Sequence, residues 1–288
     1  MSDYLSIGKS HGSLADIDGI AESDALIANE TPKGMEMSGR VVQRSVWTDV
    51  SLLQANVAKC DFSYSTFVNC YFRGARFRGC NFTGCRFIGC NFRSSAIQDC
   101  DLRYTKWDRT DIPRSTVLGN LPAQPNLAQE ILIQLRLNAT SVGEYEDARQ
   151  FLYEAEKRSR EHFVAVMKCR DDYYRGKYSV SLARVAAPFR YLKSLLNKLL
   201  WGYGEQPLRL TVNGLLATLV LGLLRALGDE PIDIWEAFRL SVAAFVSAPA
   251  AGAGEAPSVW APIQSLIGVV YIAFLAASLH RRVSTRRD

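Results

Sequence analysis

Residues 55–114 read ANVAKCDFSYSTFVNCYFRGARFRGCNFTGCRFIGCNFRSSAIQDCDLRYTKWDRTDIPR. Every fifth position carries a small residue: Ala55, Cys60, Ser65, Cys70, Ala75, Cys80, Cys85, Cys90, Ser95, Cys100, Thr105 and Thr110. Two places further on, the same register gives Val57, Phe62, Phe67, Phe72, Phe77, Phe82, Phe87, Phe92, Ile97, Leu102, Trp107 and Ile112, all large and apolar. A helix repeats near 3.6 residues and a flat strand at 2, so an unbroken period of five points to a coil with five-residue sides. Six of the seven cysteines fall in the small phase. That placement reads as a buried inner wall, where a free thiol packs as a small hydrophobe, rather than as a metal or disulfide framework.

This pattern resembles the pentapeptide-repeat family. The resemblance implies a right-handed quadrilateral β-helix in which four pentapeptides make one turn and both the small and the large residue point inward. Twelve repeats then give three turns, about 15 Å of stack at the spacing of neighbouring strands. A turn of 20 residues stacks Phe62 on Phe82 and Leu102, Phe67 on Phe87 and Trp107, Phe72 on Phe92 and Ile112, and Val57 on Phe77 and Ile97. Some members of the family imitate DNA through an acidic surface. Here Cys60 to Arg114 holds nine basic residues against five aspartates, which argues against such mimicry. Arg73 and Arg93, 20 apart, fall on one face and mark a basic surface for an acidic partner, unless they only keep the wall solvated.

Working outward, residues 1–46 read as a polar N-terminal segment without seven consecutive apolar positions, so no cleaved secretory signal is expected. The repeat domain is placed at 47–114, and a helical cap and hairpin at 115–178. In NLAQEILIQLRLNA, Asn126 is a candidate N-cap, and Leu127, Ile131 and Leu135, with Ile133 and Leu137, form an apolar side to cover the last turn. A second helix is expected from Ser141, with Glu144 completing a capping box, and on to Lys177. Its eight acidic and eight basic residues balance. His162 and Cys169 alone make a poor metal site.

Residues 179–207 carry Arg184, Arg190, Lys193 and Lys198 among leucines and aromatics, the composition of an amphipathic interfacial helix. Leu208 to Leu227 and Ser258 to His280 are each long enough to span a bilayer, making 208–288 a two-span membrane domain. Basic residues flank both outer ends and GDEPID between them is acidic, which places both termini in the cytoplasm of a bacterial inner membrane. Between the spans, 232–257 reads as a re-entrant segment with a short helix carrying Trp235, Phe238 and Phe245.

The order span, short helix, loop, span is similar to the two-helix potassium-channel-like pores found behind pentapeptide repeats in bacteria. WGYGEQPLRL (201–210) and SLIGVVYIAFLAASLHRR (265–282) carry that likeness. It implies a homo-oligomer, a tetramer by family likeness, with inorganic cations as its cargo. The filter string TxGYGD is absent between the spans, and Gly252, Ala253, Gly254 and Glu255 are its nearest echo. The three histidines are scattered and no GxGxxG, GxxxxGK[ST] or HExxH run occurs, so no enzyme, cofactor or metal is expected. Two functions remain open at this point: a channel-like pore coupled to a sensing or docking tower, and a membrane-anchored interaction scaffold without conduction.

Overall fold

The computed structural model describes residues 10–11, 25–29, 34–169, 171–178, 182–204, 206–228, 233–246 and 260–284. The chain divides into two units, Met1–Pro188 and Phe189–Asp288.

The first unit is a parallel β-solenoid followed by helices. Its strands are β1 (Ser10–His11), β2 (Ala25–Ala28), β3 (Glu36–Ser38), β4 (Val46–Thr48), β5 (Asn56–Ala58), β6 (Thr66–Val68), β7 (Arg76–Arg78), β8 (Arg86–Ile88), β9 (Ala96–Gln98) and β10 (Lys106–Asp108). They form two sheets, β1-β2-β4-β6-β8-β10 and β3-β5-β7-β9. In the regular stack each strand pairs with the one 20 residues on, as Thr66 with Arg86 and Arg86 with Lys106. The other two sides of each turn are joined by single parallel bridges such as Asp61 with Asn81 and Tyr71 with Asn91. The solenoid is therefore four-sided, and it makes about four turns.

The inner residues are fully enclosed. Phe62, Phe67, Phe72, Phe77, Phe82, Phe87, Phe92, Leu102 and Trp107 are all buried, together with the six cysteines in the small phase. Phe62 stacks on Phe82 with ring centroids 5.4 Å apart, Phe67 on Phe87 at 5.1 Å, and Phe87 on Trp107 at 4.4 Å. Successive sides meet edge to face, as Phe67 and Phe72 do at 5.7 Å. Offset and edge-on pairs of this kind are favoured by the ring quadrupole, so the ladders add directionality to ordinary apolar burial.

Each corner places one residue in the left-handed region, again every five residues. Gln54, Lys59, Tyr64 and Asn69 adopt it, then Gly74, Gly79, Gly84 and Gly89, then Ser94 and Asp99. Glycine is needed most at Gly84, where a Cβ would lie 2.6 Å from the Tyr64 ring folded over it.

The solenoid starts earlier than the sequence reading places it. Strands β2 and β3 lie within the segment read as polar, and Ile27, Met37, Val42, Trp47 and Leu52 continue the large inner phase. The period was obscured there because Val50 and Arg40 occupy slots that elsewhere hold small residues. The stack accommodates Val50 with no exposed surface.

After the last turn come α1 (Arg114–Leu118), α2 (Pro125–Ser141), α3 (Tyr145–Lys168) and α4 (Asp172–Tyr178). Helix α2 packs Ile131, Leu132, Leu135 and Ala139 into the solenoid core cluster, while Ile133 and Leu137 point outward instead. Asn126 is not its N-cap. Pro125 takes the first helical position, where its fixed φ fits and its missing N–H costs nothing, and Gln124 precedes it. The expected start of the next helix at Ser141 is also corrected. Ser141 closes α2, its hydroxyl donating to the Asn138 carbonyl (2.7 Å), and Glu144 caps α3 without a side-chain bond. The helix expected to run to Lys177 ends at Lys168, because Cys169 turns left-handed (φ 44°, ψ 44°) before α4 begins.

The helix α5 (Leu182–Trp201) begins in the first unit, where Ala187 packs with Val166 and Tyr174. The second unit continues with a 3-10 turn at Gly202–Gly204, α6 (Pro207–Gly228), α7 (Ile234–Phe245) and α8 (Trp260–Ser284). Tyr203 in the turn has positive φ between two glycines that share it, a run that ends α5 and redirects the chain into α6.

Candidate functional site

The interior of the solenoid is closed to solvent. Cys85 donates to the Phe62 carbonyl (2.9 Å), and Cys70 and Cys90 donate to carbonyls of the turn beneath. Burial pushes the Cys85 and Cys90 thiols well above their ordinary range, so both stay protonated and unreactive. Among the described residues no group of three His, Cys, Asp or Glu side chains is placed to hold a metal. His162 faces the Tyr174 hydroxyl through Nδ1 (3.1 Å), and Cys169 donates to the Val166 carbonyl (3.0 Å), so these two serve the α3–α4 junction. Burial, then the Lys177 charge, lowers the His162 pKa, and burial pushes Tyr174 up to about 12.

The outer wall holds the charge. Arg73 is exposed, while Arg93, one turn along, is engaged by Asp111 in an ion pair. Beyond the corner at Gly74, Arg76 and Arg78 flank buried Phe77 and both point outward. Arg78 donates to the Gln98 amide oxygen (3.4 Å). On another side Asp61 accepts from the Ser63 N–H (2.9 Å) and the Gln43 amide (2.7 Å). Partial burial acts to raise its pKa, and these bonds outweigh that and hold it below the usual carboxylate range.

The exposed end of a β-solenoid is a row of unpaired peptide groups, which invites pairing with another chain. Two asparagines complete it here. Asn138 of α2 accepts from the Thr110 N–H (2.8 Å) and donates to the Thr110 carbonyl (2.7 Å). Asn120 accepts from the Cys100 N–H (3.1 Å) and donates to the Ile97 carbonyl (2.7 Å). Asn120 takes the place that Thr110 holds on the next side, where the Cys90 N–H donates to the Thr110 hydroxyl and that hydroxyl donates to the Phe87 carbonyl. Beside Asn120 an open cleft of about 410 Å³ is lined by Asp99, Asp101, Arg103, Leu121 and Gln124 among others. Arg103 is bonded to Asp101 through Nε (2.8 Å), which leaves the cleft without a free cationic group.

In the second unit, Gly222 of α6 lies against Phe238 and Ser241 of α7, and a Cβ on Gly268 of α8 would meet the Phe245 carbonyl oxygen at 1.8 Å. Helix α7 thus sits against both long helices at glycine contacts. Gln264 of α8, 1% exposed, donates to the Ser241 hydroxyl (3.2 Å), and Tyr271 donates to the Leu210 carbonyl (2.7 Å). The outward faces are apolar: Leu208, Val212, Leu215, Leu216 and Leu219 on α6, and Leu266, Val269, Val270 and Ile272 on α8, are all exposed. Among the described residues one helix, α6 over Pro207–Leu224, is long and apolar enough to cross a membrane; the apolar part of α8, Gln264–His280, is shorter.

Of the residues read from sequence, Trp235, Phe238 and Phe245 all lie on α7. Trp235 is 76% exposed and Phe238 partly so, while Phe245 packs near Tyr271 with centroids 5.8 Å apart. Gly252, Ala253, Gly254 and Glu255 lie outside the described residues, as does Ser258, where the second span was expected to start. Sequence reasoning missed Asn120, Asn138 and the glycine corners. Asn138 left one signal, a polar residue in the apolar phase set by Ala128, Ile131 and Leu135.

Comparison with known proteins identifies the first module. Residues 41–117 match the family model of the pentapeptide repeat region, and the same residues hold most of the β-solenoid. The match covers about a quarter of the chain and leaves the helical units outside it. Among solved structures the chain is similar to a trypsin-treated form of QnrB1, a plasmid-mediated fluoroquinolone resistance protein, at 23% identity over 30% of this chain and 47% of that one, with a TM-score of 0.21. A second trypsin-treated form gives 19% identity over 35% and 58%, with a TM-score of 0.20. Rfr23, a pentapeptide repeat protein from the cyanobacterium Cyanothece 51142, gives 12% over 31% and 88%, with a TM-score of 0.13. The chain thus spans about half the length of the two QnrB1 structures. No curated protein matches the sequence.

Proposed function

We propose that the chain is a membrane-embedded, channel-like protein in which several copies of the unit Phe189–Asp288 surround an ion path and the pentapeptide-repeat solenoid serves as a docking or sensing module. The observation that carries this reading is helix α7. At 12 residues it is about 18 Å long, too short for a hydrocarbon core of about 30 Å, whereas the 22 residues of α6 reach about 33 Å. It lies against α6 and α8, whose remaining faces are apolar and exposed. A helix too short to span, held between α6 and α8, fits a segment that enters and leaves the bilayer on the same side of a pore subunit. A symmetric oligomer, a tetramer by resemblance, supplies the other walls, with Glu255 side chains drawing inorganic cations to the mouth. Both termini face the cytoplasm of a bacterial inner membrane by the distribution of basic residues.

A second reading has a specific feature in its favour. With no TxGYGD string between α6 and α8, the helical unit serves only to hold the solenoid at the bilayer, and the solenoid acts as an interaction scaffold. Ion flux from liposomes containing the purified full chain separates the two. Flux that changes with substitution of Gly252, Gly254 and Glu255 supports the pore, and a purified oligomer that passes no ions supports the scaffold.

A further inference from the structure

The part of α5 in the second unit, Phe189–Leu200, has two unlike faces. Ser194 is buried. About half a turn away from it, at 3.6 residues per turn, Phe189, Leu192, Leu195, Leu196, Leu199 and Leu200 form one continuous exposed apolar arc. Lys193 and Arg190 border that arc on one side and Lys198 on the other. All three are exposed, and none has an ion-pair partner among the described residues. The whole of α5, Leu182–Trp201, contains no acidic residue.

The end of α5 is fixed by the helix that follows. Arg209 of α6 donates to the Lys198 carbonyl (3.0 Å), and the Asn213 amide donates to the carbonyls of Leu199 (2.9 Å) and Leu200 (2.7 Å). These are carbonyls that a helix end leaves without partners. The elbow therefore sets α5 at the level where α6 begins, next to Arg209.

We propose that this face of α5 is a binding surface for anionic phospholipid, with the leucine arc in the acyl boundary and Arg190, Lys193 and Lys198 on the headgroup phosphates. A second copy of the same helix would bring like charges together, whereas an anionic leaflet complements both the arc and its border. The proposal rests on the reading of α6 as embedded and adds a headgroup preference to it.

Hydrogen exchange of the full chain in nanodiscs of phosphatidylcholine, and of phosphatidylcholine with an equal part of phosphatidylglycerol, tests this. A cation near such a surface contributes about fivefold, so three give roughly a 100-fold slowing of exchange over 189–200 in the mixed discs. The triple variant Arg190→Gln, Lys193→Gln, Lys198→Gln should exchange alike in both. Wild-type exchange that ignores phosphatidylglycerol while α6 stays protected overturns the proposal alone. Free exchange of α6 in both discs overturns the embedding and the proposal with it.

Discussion

Replacing Asn138 should uncover how the open end of the solenoid is closed. Its amide makes two hydrogen bonds to the peptide of Thr110, one through each atom, and the residue is only 3% exposed. In Asn138→Ala the Thr110 N–H and carbonyl are both left buried without partners. At about 1–3 kcal/mol for each orphaned group, the change should destabilise the last turn by about 2–6 kcal/mol. That is a large fraction of a typical domain stability of about 5–15 kcal/mol. Asn138→Leu keeps the volume and removes the bonds, so a similar loss assigns the effect to hydrogen bonding and not to a cavity. Asn120→Ala is the internal control. Asn120 is only partly buried, so water can replace its amide, and the loss should be about 1 kcal/mol. Urea titration with exchange read at the amides of β10 and β9 reports the two closures separately. If Asn138→Ala costs no more than Asn120→Ala, the reasoning is wrong.

Other perturbations follow the same geometry. Gly84→Ala combines positive φ with a Cβ 2.6 Å from the Tyr64 ring, and should cost about 1–3 kcal/mol, part of it recovered in the double variant with Tyr64→Ala. Gly268→Ala drives a methyl into the Phe245 carbonyl; α7 should detach from α8 and exchange faster, while α6 stays protected. Burial lowers the His162 pKa below its ordinary value of 6.5, so the unfolded junction binds more protons than the folded one. Its contribution is present above pH 6.5 and is lost as pH falls below it, which should appear as lower protection factors in α4 on acidification with those of α2 unchanged. In the native protein Cys169 should alkylate first, and the six solenoid thiols only on unfolding, as mass-resolved labelling would show.

The solenoid was legible because its core is one-dimensional. A residue at position n meets the residue at n+20, so a local period writes the long-range contacts directly, and the phenylalanine ladders from Phe62 to Phe92 could be drawn from the spacing. The lower turns were hidden where Arg40 and Val50 break the small phase, although Val42, Trp47 and Leu52 keep the large one. The closing asparagines were not legible, because pairing Asn138 with Thr110 depends on where α2 docks and no periodicity encodes that. The helix ends were misplaced for local reasons: Pro125 outcompetes Asn126 for the start of α2, and Cys169 breaks a pattern whose charge balance and spacing continue past it. In the second unit, the extents of α6 and α7 follow the apolar runs, while their mutual seating depends on Gly222 and Gly268, which look like any other glycine in an apolar sequence.

Single-channel recording from the reconstituted full chain, with potassium on one side and sodium on the other, decides whether the helical unit encloses an ion path. A pore gives discrete cation currents whose reversal potential shifts when Glu255 is replaced by Gln. A symmetric oligomer, folded and inserted, that gives a silent bilayer would contradict it.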